Sequence, residues 1–152
     1  MTDTSRTFGG RAPGNVNTFT STVGSFGFSQ DFPVGTPVCP SASVSDTVIK
    51  ARGNALATSK VAGVAAAAGV VGDPTRIQYA GPLKLTEEEW DEITNDTGGL
   101  VRGTPYYLSQ GFGSGKLTTS NTPNSGNFLV PVGIALSSTV LLVQIGAPVQ
   151  VP

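Results

Sequence analysis

Apolar positions in this chain come in short runs. From residue 34 on, these runs are separated by Gly, Pro, Asn and Asp clusters, the pattern of β-strands joined by tight turns. The pattern predicts strands over 36–39, 48–52, 61–67, 76–79, 83–85, 104–109, 115–119, 128–137, 140–146 and 148–151. Val132-Gly133-Ile134-Ala135-Leu136 alternates large and small, as a strand with one face in a tight core does. Ser137-Ser138 then turns the chain into Val140-Leu141-Leu142-Val143-Gln144-Ile145, apolar at nearly every position, which predicts a strand covered on both faces.

One helix interrupts the β pattern. Thr86-Glu87-Glu88-Glu89 has the form of a capping box, in which the Thr86 hydroxyl accepts from a free N–H and Glu89 reaches back. Three carboxylates in the first turn suit the positive end of the helix dipole. The helix is predicted to reach Ile93 or Thr94 and to end at Asp96, Gly98 and Gly99, with Trp90 and Ile93 on one face.

Three blocks recur in the same order on either side of this helix. Gly35-Thr36-Pro37-Val38 is matched by Gly103-Thr104-Pro105-Tyr106, and Val61-Ala62-Gly63-Val64-Ala65 by Pro131-Val132-Gly133-Ile134-Ala135. Ile77-Gln78-Tyr79-Ala80-Gly81-Pro82-Leu83 is matched by Val143-Gln144-Ile145-Gly146-Ala147-Pro148-Val149. The order argues for a duplicated β unit. Each copy is too short to bury a full core alone, so the two are expected to form one compact barrel or sandwich body. The expected fold is therefore mainly β: a first β unit over 34–85, a helix over 86–97 and a second β unit over 98–152.

Residues 1–33 differ. They are rich in Ser, Thr, Gly and Asn and nearly free of aliphatic side chains, yet hold Phe8, Phe19, Phe26, Phe28 and Phe32, five of the seven Phe. Such a segment closes no core of its own. It is expected to be an extended N-terminal arm whose rings insert into pockets on another chain, with a tail packed on its own domain as the plainer alternative.

Composition narrows the chemistry. The chain of 152 residues has no His, which removes His-based triads, His-ligated metal sites and imidazole switches. Its one Cys, Cys39, permits no intrachain disulfide and no Cys-rich zinc site. Nine basic and ten acidic residues give a net charge of -1, short of the positive field that nucleic-acid binding requires. Only 12% of residues are charged, so surface is expected to be hidden against copies or partners. The longest apolar run, 61–72, is shorter than the ~20 residues of a membrane span, and the start lacks the apolar stretch of a signal peptide. A product made in a cytoplasm, with neither membrane nor nucleic acid as partner, is expected.

No constellation assembles a reacting centre. Glu87, Glu88, Glu89, Asp91 and Glu92 crowd one helix start, whereas glycosidase carboxylates face each other across a cleft. Gly111-Phe112-Gly113-Ser114-Gly115-Lys116 fails as a phosphate loop: position 110 is Gln and position 117 is Leu. Cys39 has no base to activate it. Trp90, Tyr106, Tyr107 and Phe112 are candidates for a subunit or ligand interface, with core packing as the plainer reading. No cofactor, metal or catalytic residue is assigned, and the chain is read as non-enzymatic.

These features resemble the head decoration (cement) proteins of tailed bacteriophages, lambda-type, or a related virion structural protein. The residues that carry the resemblance are the Thr- and Gly-rich segment over 2–32, the lead-in Gly35-Thr36-Pro37-Val38 and the small-residue strand Val61-Ala62-Gly63-Val64-Ala65-Ala66-Ala67. A closing strand near Tyr79 and, in the second half, Gly103-Thr104-Pro105-Tyr106-Tyr107-Leu108-Ser109 and Val132-Gly133-Ile134-Ala135-Leu136-Ser137 complete it. The resemblance implies a β-tulip-like body and a homotrimer on the outer surface of an icosahedral capsid. There it would hold major capsid protein subunits together, with the N-terminal arm making the main contact. The competing reading is a head- or tail-fibre module that binds host surface glycans through Trp90, Tyr106, Tyr107 and the tip at 111–115.

Overall fold

A computed structural model describes residues 17–24, 31–110 and 115–152. The fold is mainly β, with twelve strands and two helices among the described residues. In chain order these are β1 (Thr18–Val23), β2 (Pro37–Pro40), β3 (Thr47–Lys50), α1 (Leu56–Ser59), β4 (Gly63–Ala65), β5 (Pro74–Gln78) and β6 (Ala80–Lys84). Then come α2 (Glu87–Thr94), β7 (Pro105–Leu108), β8 (Leu117–Thr118), β9 (Phe128–Leu129), β10 (Pro131–Ala135), β11 (Val140–Gln144) and β12 (Val149–Gln150).

The first five strands form a closed barrel in the order β1-β3-β2-β4-β5. All neighbours are antiparallel except β1 and β3, which run parallel and set Thr22 beside Thr47 and Val23 beside Val48. The next sheet is open, in the order β6-β11-β10-β7-β8, and antiparallel throughout. β9 and β12 pair separately.

Side-chain alternation along the barrel wall creates two cores. Val38, Val48 and Ala65 join Val23, Phe32 and Ile77 in one cluster, the barrel filling. Their strand neighbours Cys39, Ile49 and Val64 instead join Leu83, Tyr106, Leu108, Leu117, Leu141 and Val143 of the open sheet in a second cluster. Trp90 and Ile93 of α2 are fully buried in that second cluster, as their shared helix face predicts. Backbone bonds tie the two sheets: the Gly115 N–H donates to Ala51 O at 2.7 Å, Gly53 N–H to Ser109 O at 3.1 Å and Phe128 N–H to Gly53 O at 2.8 Å.

α2 forms as its sequence dictates. Glu89 N–H donates to Thr86 Oγ1 at 3.1 Å, and Thr86 N–H donates to Glu89 Oε1 at 2.9 Å. The helix runs to Thr94, as its sequence predicts. Asn95 takes the left-handed conformation at φ 58°, and Asp91 accepts from Gly98 and Gly99 N–H to fold the following loop back.

Other expectations need correction. The run 128–137 is two strands, because Pro131 lacks an N–H and a register shift follows it before Gly133. The run 61–67 shortens to Gly63–Ala65, preceded by the single-turn helix α1. Residues 1–33 are not wholly an arm. Thr18–Val23 is a wall strand paired with β5 at five positions, from Thr18 opposite Gln78 to Thr22 opposite Pro74. Its β-branched Thr and Val suit an extended chain, and the barrel closes only through it. Phe32, 3% exposed, fills the barrel where Gly69 has no side chain, and the two residues exchange backbone hydrogen bonds of 2.9 and 2.8 Å.

Two glycines are required by close approach of the backbone. A Cβ at Gly63 would lie 2.6 Å from Gln78 O, and one at Gly133 would collide with Leu142 O. Gly63→Ala and Gly133→Ala are each expected to cost about 2 kcal/mol or more by overpacking. Thr86→Ala, which removes half of the capping box, is expected to cost about 1 kcal/mol. Urea unfolding of the three variants checks both the size and the ranking.

Candidate interaction surface

The N-terminal segment enters the barrel at Asn17, whose carbonyl accepts from Tyr79 N–H at 2.9 Å. This places Phe19 beside Tyr79, ring centroids 6.4 Å apart and tilted by 36°. Both rings are partly open to solvent, at 37% and 45% exposure. β1 meets β3 at two positions only, so the earlier part of β1 faces the loop at 41–46 instead. Ser21 Oγ donates to Asp46 O at 3.1 Å and closes the end of this gap. The gap itself is a groove of about 320 Å³ lined by Phe19, Thr20, Pro40, Val44, Asp46 and Ala62 among others. Val44 is 56% exposed. Apolar floor and backbone walls suit a short extended segment better than a charged ligand.

The residues singled out in the sequence do not converge. Phe19 sits at this groove, Phe32 lies in the barrel core, and Phe8, Phe26, Phe28 and Phe112 fall outside the described residues. Trp90 is fully buried, its indole N–H donating to Thr139 O at 2.9 Å. Tyr106 is 2% exposed and its hydroxyl accepts from Val101 N–H at 2.9 Å. Both therefore pack within their own chain, the plainer of the two readings, and neither offers a surface to a ligand. Tyr107, on the opposite side of β7, is half-buried. Tyr79 and Val44 were missed in the sequence. Val44 has a visible signal, a lone aliphatic residue in a serine-rich loop, whereas Tyr79 has none beyond its place at a strand end.

The chemical candidates are engaged in structure. Lys116 Nζ donates to Glu92 O at 2.7 Å, joining β8 to α2. Glu89 serves the capping box and Asp91 the loop after the helix, while Glu87, Glu88 and Glu92 are exposed. Cys39 is fully buried against the open sheet, and burial pushes its thiol from the ordinary 9.0 up to about 11. The neutral thiol is thus favoured, the opposite of what a nucleophile needs.

That shift has a stability consequence. The unfolded thiol ionises at lower pH than the folded one, so the native state holds more protons between the two values. Stability is full below pH 9.0 and falls as pH rises towards about 11. The loss attributable to this group is ~2 kcal/mol. Urea unfolding of wild type and Cys39→Ala on either side of this interval should show the wild type losing more stability than the variant.

Against known proteins, the chain matches no protein-family model and no curated protein sequence.

Proposed function

We propose that this protein is a non-enzymatic virion structural protein. In this reading it binds the outer surface of an icosahedral phage capsid and stabilises the lattice of major capsid protein subunits. It does so as a self-associated homotrimer, with the segment ahead of β1 making the main capsid contact. The observation that carries the reading is the way the polar, Phe8-bearing residues 1–16 run directly into a wall strand of a closed barrel. A partner gripping that segment is thereby linked to a closed body through backbone pairing rather than through a loose linker. The exposed Phe19–Tyr79 pair and the groove beside it extend the same surface.

The reading also takes the body to be two copies of one five-strand unit, with bounds other than the expected 34–85 and 98–152: β1 falls in the first unit and β6 in the second. The support is topological. Strands β1 to β5 follow the spatial order third-second-fourth-fifth-first, and β6, β7, β8, β10 and β11 follow the same order. The sequence blocks occupy matching places. Pro37 lies opposite Val64 and Val38 opposite Gly63; Pro105 lies opposite Ile134 and Tyr106 opposite Gly133. The third block matches by strand, with its register displaced by two residues. The units differ in closure: β1 pairs with β3, while β6 and β8 stay apart and α2 packs against β8.

The glycan-binding alternative loses two of its named residues, because Trp90 and Tyr106 are buried. Tyr107 alone among its described aromatics reaches the surface.

The test compares full-length protein with a chain beginning at Asn17. A deletion through residue 33 would remove β1 and Phe32 and open the barrel, so it cannot separate binding from folding. The shorter deletion is expected to keep the far-ultraviolet circular dichroism spectrum and to lose binding to expanded, DNA-free heads. Equal decoration by both proteins, or binding of neither, overturns the proposal.

A further inference from the structure

The open sheet has one face in the core and one face outward. Across the outward face, Pro82 lies opposite Leu142, Leu142 opposite Ile134, and Ile134 opposite Pro105. Pro82 and Pro105 are exposed, Ile134 is 38% exposed and Leu142 is half-buried. Val140 and Leu136 extend the row on one side, with Leu136 47% exposed. Among the residues of these four strands, Lys84 at the corner carries the single charge.

The barrel has the matching row: Pro37 opposite Val64, Val64 opposite Gln78, and Gln78 opposite Thr18. There the row is covered. Pro37, Val64 and Gln78 are buried, and Val64 packs in one cluster with Leu83, Tyr106 and Leu141 of the open sheet. Within one chain, the cover for this row is thus a sheet face of the chain itself.

We propose that the outward face of the open sheet, centred on Ile134 and Leu142, is the contact with a second copy of this chain. Two such faces meet apolar on apolar, with Lys84 at the margin, so no charge is stripped of water at the centre. Four strands about 4.8 Å apart and five residues at about 3.3 Å give a footprint of roughly 300 Å². That is the size of a functional apolar patch and below the roughly 800 Å² per partner of a standard stable interface. The association is therefore reversible and dissociates on dilution. A face that meets its own copy closes as a two-fold pair, so this contact is separate from the threefold one of the proposed homotrimer and does not depend on the capsid contact.

Sedimentation velocity of the full chain over roughly a hundredfold range of concentration tests this. Wild type should gain mass with concentration, and Ile134→Lys should remain a single chain with an unchanged circular dichroism spectrum. Ile134→Thr keeps the β-branched shape of an exposed strand residue and should weaken association about tenfold, the gentler variant that decides the matter should the Lys variant not fold. Lys84→Ala should associate as wild type does. A wild type that stays monomeric throughout, or folded Ile134 variants that associate as wild type does, overturns the proposal. Loss of head binding on deleting residues 1–16 is a separate readout, so the two proposals fail separately.

Discussion

The structure rests on one wall used twice. β2, β3 and β4 send Val38, Val48 and Ala65 into the barrel and Cys39, Ile49 and Val64 out against the open sheet. Period-two alternation usually separates a dry face from a wet one; here both faces are dry. Neither core is complete without this wall, so the two sheets form one body despite their separate hydrogen-bond ladders. The wall also fixes what these positions tolerate. Gly63 must stay small because Gln78 O approaches it, and Cys39 serves as a small apolar side chain whose sulfur lies 3.9 Å from Lys50 O.

Buried polar groups around this wall are satisfied locally, which lets so weakly charged a chain keep a defined fold. Thr36 donates to Pro33 O, and Thr75 to the carbonyls of Ala67 and Ala68. The exposed margin of β6 is blunted in two ways. Pro82 has no N–H to offer an added strand, and the Gln78 side-chain amide donates to Gly81 O and Pro82 O. Strand addition at that edge is disfavoured, whereas contact across the sheet face is left open.

What the sequence revealed was local. The capping box depends on residues three apart and formed as read. The Gly-Thr-Pro lead-ins and the small-residue strands were visible because each pattern is complete within a few positions. β1 was not legible as part of the body. Of its six residues, Ser21 and Val23 are the ones that are buried, and its long partner is β5, more than fifty residues later. A strand whose buried positions are a Ser and a Val has almost no hydrophobic signature, so its polar composition suggested an arm. The aromatics left two readings open for the converse reason. Type and spacing do not separate a buried indole or phenol with a backbone partner from one at a surface. Trp90 and Tyr106 owe their places to Thr139 and Val101, contacts that only the folded chain creates.

The placing of β1 has a mechanical consequence. It lies antiparallel to β5 over five paired positions, and its far end is held by Val23 and Gly24 N–H bonds to Asp73 O and Val48 O. Tension on the chain ahead of Thr18 runs along the strand, so its hydrogen bonds are sheared together instead of unzipped one by one. Resistance to such a pull is a matter of unfolding rate rather than equilibrium stability. A protein clamped by its first residues would meet force at the strand that closes its barrel.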